Sequence, residues 1–153
     1  MFSALRDMLL APVRSNSSIP RRLWMDRNLG VRNKGRELLN KEEVHEMLHR
    51  YGFEIVDMGA MPVAAQISLA QSAAVLSGPH GAGFVHTLFM SPKSTVIECY
   101  SPLFINQGII QICLAMQHRY FMLVYENAHV RYPFGNQLMV NCAHLELTLQ
   151  SLG

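Results

Sequence analysis

Apolar positions along this chain fall into short runs separated by segments of helical period. Leu23-Trp24-Met25 is such a run, and Phe53–Val56, Ala73–Ser77, Thr95–Tyr100 and Tyr120–Tyr125 repeat it. The runs are continuous rather than alternating, which marks strands buried on both faces. Between them, Val44, Met47, Leu48 and Tyr51 recur at i, i+3, i+4 and i+7, the apolar stripe of a helix over 41–51. Asn40 is a good N-cap for it, Glu43 stands three residues on as a capping-box partner, and Gly52 ends it. Pro62 opens a second helix to about Ser72. Phe84 to Met90 forms a short helix and Ile105 to Gln117 a third long one. Ala143 to Leu152 closes the chain, with Asn141 or Cys142 near its cap. This strict β-α alternation predicts an α/β fold, a Rossmann-like doubly wound parallel sheet of about five strands.

With 153 residues the chain has room for one domain. Residues 1–20, ending in Ser15-Asn16-Ser17-Ser18 and Pro20, read as a weakly ordered lead-in, and 21–153 as the domain. An apolar content of 50% with 16% charged residues excludes disorder, collagen and coiled coil. No apolar run approaches the roughly 18 residues of a membrane helix. Three scattered cysteines give neither a disulfide framework nor a zinc-ribbon spacing.

Net charge is only +2, too little to announce a nucleic-acid binder. The distribution is more telling. Arg21, Arg22, Arg27, Arg32, Lys34 and Arg36 oppose Asp26 alone, so 21–36 carries +5 and the remainder −3.

In doubly wound sheets ligands sit beyond the carboxyl ends of the strands. Two features land there: the basic loop after the first strand and the turn Gly78-Pro79-His80-Gly81-Ala82-Gly83. Glycines let backbone N–H groups approach an anion, and the following helix N-terminus adds about half a positive charge. His80 can add a hydrogen bond. The plain alternative is a tight turn that needs glycine. Glu98 ends its strand as a carboxylate in apolar surroundings, suited to a ribose hydroxyl or, equally, to solvent.

His45-Glu46-Met47-Leu48-His49 is a literal HExxH, the zincin signature, and runs on to Gly52. Its third-ligand position is Ile55, which cannot bind zinc, so no metal is expected.

The block from Gly78 to Glu98, with His80-Gly81-Ala82-Gly83, Leu88-Phe89, Pro92 and the strand Thr95-Val96-Ile97-Glu98, resembles the signature of family 61 glycosyltransferases. Upstream, Leu23 to Arg27, Arg36-Glu37-Leu38-Leu39-Asn40 with Glu43, Tyr51-Gly52-Phe53 and Gln66 also resemble the family. Three positions depart from its pattern: His86 where many members have Asn, Lys93 where a glycine is usual, and Cys99 in place of a Leu-like residue.

The resemblance implies the C-terminal, donor-binding half of a GT-B enzyme, with the acceptor domain absent. It implies inverting transfer of a sugar from a nucleotide-sugar donor, a UDP-sugar, to a hydroxyl of a glycan or protein. Arg27, Arg36, His80, Gly81, Ala82, Gly83 and His86 would hold the donor phosphates and Glu98 the ribose. The catalytic base is expected on the missing domain, and no metal or other cofactor is expected. A eukaryotic member would work in the Golgi or endoplasmic reticulum lumen, a bacterial one in the cytoplasm. The rival reading is a non-catalytic nucleotide- or protein-binding Rossmann module left from a truncated glycosyltransferase.

Overall fold

A computed structural model describes residue 4 and residues 21–26, 38–102, 105–125 and 138–153. The rest of the lead-in, and Arg27 and Arg36 in the basic loop, lie outside the described residues.

Five strands form one sheet: β1 (Arg21–Met25), β2 (Phe53–Val56), β3 (Ala73–Pro79), β4 (Thr95–Tyr100) and β5 (Arg119–Val124). Their order is β2-β1-β3-β4-β5, and every pairing is parallel. The α/β, Rossmann-like expectation therefore holds. Helices cover both faces, because successive strand residues, which point to opposite faces, are apolar. Leu23, Leu76 and Val96 pack on one face with α2 (Val63–Ser72), the 3₁₀ helix Ala82–Phe89 and α3 (Gly108–Ala115). Trp24, Val75 and Ile97 pack on the other with α1 (Lys41–Arg50) and α4 (Cys142–Gln150). The stripe of α1 is the predicted one: Val44, Met47 and Leu48 are buried. Burying a side chain of that size contributes about 1.5–3 kcal/mol.

The chain winds outward from β1 to β2, then returns over β1 to β3. That reversal makes the carboxyl ends of β1 and β3 a topological switch point, where a crevice opens.

Three local expectations change. Asn40 makes no side-chain cap bond to its helix. Its Nδ2 donates instead to the Val140 carbonyl at 2.8 Å and to Glu43 at 3.0 Å, while its Oδ1 accepts from Val140 N–H at 3.0 Å. One amide side chain thus ties the start of α1 to the approach to α4. Asn40→Ala is expected to lower stability by about 1–3 kcal/mol, since two backbone partners lose their bonds; urea unfolding would read it. A midpoint unchanged from wild type would refute the clamp.

β3 also runs on through Gly78 and Pro79, which pair with Glu98 and Cys99 of β4. The following helix is 3₁₀ rather than α. Thr87 Oγ1 and His86 Nδ1 each reach the carbonyl three residues back, which matches its i→i+3 period. α3 is shorter than expected because Asn106 Oδ1 takes the Gly108 N–H at 2.7 Å and starts the helix there.

Candidate functional site

The switch-point crevice has a volume of about 570 Å³. Met25 and Asp26 line it from β1, Asp57 to Ala60 from beyond β2, Gln66 from α2, and Pro79, Gly81 to Phe84 and His86 from beyond β3. Gly81, Ala82, Gly83 and His86, all assigned to the phosphate site, therefore share one wall. The first internal bond of the 3₁₀ helix is Phe84 N–H to Gly81 O, at 3.0 Å. The N–H groups of Ala82 and Gly83 precede it, in the position where helix termini leave donors for a ligand. A Cβ on Gly83 would lie 3.2 Å from Met25 Sδ, so this wall has no room to spare.

His80 and Glu98 are not among the residues lining that crevice. They form a network beside it, at the ends of β3 and β4. Glu98 is 0% exposed. Its Oε1 lies 2.5 Å from His80 Nδ1, and its Oε2 accepts from Tyr120 Oη at 2.7 Å. Tyr100 Oη is 2.8 Å from both Glu98 Oε2 and the Asn106 carbonyl, so its single hydrogen is shared between them. The His80 ring stacks on Tyr100 with centroids 4.4 Å apart. An ionised carboxylate only accepts, so His80 Nδ1 carries the hydrogen. Burial pushes both phenols well above their ordinary range, helped at Tyr120 by its bonds to Tyr100 and Glu98, so both remain donors at neutral pH. Glu98 thus stands behind His80 with no exposed surface of its own. Spacing gives a strand end but not which way its side chain faces, so this network is not legible in the sequence.

Of the six basic residues in 21–36, Arg21 and Arg22 are described. Both serve the amino end of the sheet, away from the crevice. Arg21 pairs with Glu54, and Arg22 donates to the carbonyls of Tyr51 and Gly153.

Asp26 and Asp57 were not picked out. Each is the first polar residue after an apolar strand, and that position was the available signal. Asp26 is 6% exposed and paired with Lys41 at 3.2 Å and His45 at 3.1 Å. Burial pushes the His45 imidazole down while Asp26 pulls it up. The first histidine of the HExxH thus faces Asp26, with burial holding its imidazole below the ordinary range, and Ile55 sits in β2 opposite Trp24. Among the described residues no group of three His, Cys, Asp or Glu side chains could hold a metal. Asp57 is half-buried, its Oδ1 accepting from Gly59 N–H at 3.0 Å.

The sequence model of the glycosyltransferase 61 family matches residues 1–97. The chain belongs to that family. The match takes in β1 to β3, the glycine turn and the first half of β4, and so both walls of the crevice. This family 61 chain is similar to the EGF domain-specific O-linked N-acetylglucosamine transferase of Drosophila melanogaster, at 26% identity over 104 residues. That alignment covers 66% of the chain and 20% of the relative. It is also similar to the beta-1,2-xylosyltransferase of Arabidopsis thaliana, at 31% identity over 77 residues, 42% of the chain and 14% of the relative. The chain thus spans about a fifth or less of the length of these two relatives.

Proposed function

We propose that the crevice binds the diphosphate of a nucleotide-sugar donor, a UDP-sugar, and that the chain is the donor-binding Rossmann-like half of a GT-B glycosyltransferase. The observation that carries this is the Gly81–Gly83 backbone and His86 on one wall of a switch-point crevice, in a family 61 chain. In the reaction, an acceptor hydroxyl of a glycan or protein gives its proton to a base and its oxygen bonds to the anomeric carbon. The bond from that carbon to the diphosphate breaks, and its electrons leave on the nucleoside diphosphate. A single in-line displacement inverts the anomeric centre. Charge developing on the leaving group is met by the helix N-terminus, His86, Arg27 and Arg36, so the reading calls for no metal. The base belongs to a part of the enzyme outside this domain.

Asp57 takes the ribose role in place of Glu98. It follows β2, two strands from the glycine turn. Two inter-strand spacings make about 10 Å, the reach from a diphosphate to the ribose hydroxyls of the same nucleotide. His80 acts beside the phosphates, held by Glu98.

The test is calorimetric titration of UDP, GDP, CMP and pyrophosphate into the chain and into Gly83→Val. UDP and pyrophosphate should bind the wild type. The valine, aimed at the phosphate wall, should weaken both by roughly ten- to a hundredfold, the loss of one charge-assisted hydrogen bond or so. Failure of both to bind the wild type would sink the donor site. Binding with no transfer from any UDP-sugar in the full-length enzyme would favour a non-catalytic module.

A further inference from the structure

We infer that binding of the donor diphosphate places a proton on His86. This rests on the donor-site reading above. His86 sits in the 3₁₀ helix with its ring on the crevice wall, beside Gly81 and Gly83. Its Nδ1 is 2.9 Å from the Gly83 carbonyl oxygen. A carbonyl oxygen only accepts, so Nδ1 is the donor and the tautomer is settled. In the neutral ring Nε2 is then an acceptor alone. The diphosphate of a nucleotide-sugar is a doubly ionised diester, and its outer oxygens are acceptors too. Two acceptors cannot share a hydrogen bond. Nε2 can meet the diphosphate only after taking a proton from solvent, which makes the ring a cation with one N–H on Gly83 and the other on phosphate. The sum is one proton and one dianion taken up together, with no covalent bond made or broken.

The surroundings are compatible with that charge. Titratable groups reach the crevice from each wall: Asp26 from β1, with Lys41 and His45 of α1 upon it, and Asp57 from beyond β2. α2 contributes the uncharged Gln66, and Phe89 lies tilted against the His86 ring at 6.1 Å. The other described ionisable residues lining the crevice are Asp26 and Asp57, both acids. A ligand hydroxyl donating to neutral Nε2 is the competing arrangement, and it takes up no proton.

The experiment is titration of UDP-N-acetylglucosamine, whose phosphate diesters stay ionised near neutrality, in two buffers of different ionisation enthalpy. The wild type should take up a proton, seen as a dependence of binding heat on the buffer. Affinity should fall as pH rises, by at most about tenfold per pH unit, the limit for a single proton taken up. His86→Gln, whose amide does not titrate, should bind with no proton uptake and a flat pH profile. Binding by the wild type without proton uptake and with pH-independent affinity overturns this inference alone. No binding by the wild type at any pH overturns the donor site, and this inference with it.

Discussion

Glu98→Ala is expected to remove about 3–5 kcal/mol of stability, the usual cost of breaking a buried charged partnership from one side. Whole domains are stable by only about 5–15 kcal/mol, so this is a large part of the total. The carboxylate is fully buried, and three donors converge on it: His80 Nδ1, Tyr100 Oη and Tyr120 Oη. Truncation leaves His80 and Tyr120 without this acceptor and opens a cavity among β3, β4 and β5. Each orphaned buried donor costs about 1–3 kcal/mol, though neighbouring losses do not add. Glu98→Gln should be far milder, about 1–2 kcal/mol. Its amide oxygen still accepts from the phenols, and its amide N–H can donate to His80 Nδ1 if the ring changes tautomer. Urea denaturation of both variants decides. Equal losses for Ala and Gln would mean that hydrogen bonding is not what holds this network.

Gly78→Ala is expected to cost about 2–5 kcal/mol, from backbone strain and overpacking together. Gly78 has φ +152°, a region that L residues avoid, and a Cβ there would lie 2.7 Å from the Met25 carbonyl oxygen. The contact is with backbone, which cannot rotate away. Gly52→Ala is the control. Its φ is +71°, but nothing lies within 4 Å of its Cβ, so only strain of about 1–2 kcal/mol applies. The difference between the two variants in a thermal or urea melt isolates the β1–β3 approach. Equal costs would show that the strands can part without penalty. Because Met25 and Pro79 both line the crevice, the Gly78 variant should also weaken UDP.

Among the described residues, the period of apolar positions was enough to find the five strands and the four α-helices, because burial on both sheet faces and on one helix stripe writes itself directly into the residue order. Helix ends were less legible. Asn40 has the right residue type for a cap, yet its amide is claimed by Val140, 100 residues away. No local rule contains that partner. The turn after Pro92 shows the reverse: Lys93, where family resemblance expects glycine, has φ +68°, so the turn is kept without the residue that makes it cheap.

For the site, residue order determined which groups stand at the carboxyl ends of strands: Asp26, Asp57, the Gly81–Gly83 turn and Glu98. Parallel strands joined by helices return every carboxyl end to the same edge, so this much follows from connectivity. Tertiary structure alone decided which of those groups face a common space. The order β2-β1-β3-β4-β5 set Asp26 and Asp57 across the crevice from the glycine turn. It also brought Tyr120 from β5 onto Glu98, whose other oxygen holds His80. Which face a side chain takes at a strand end depends on register and on the neighbour it meets. Both are properties of strand pairing, which a single strand's sequence does not carry.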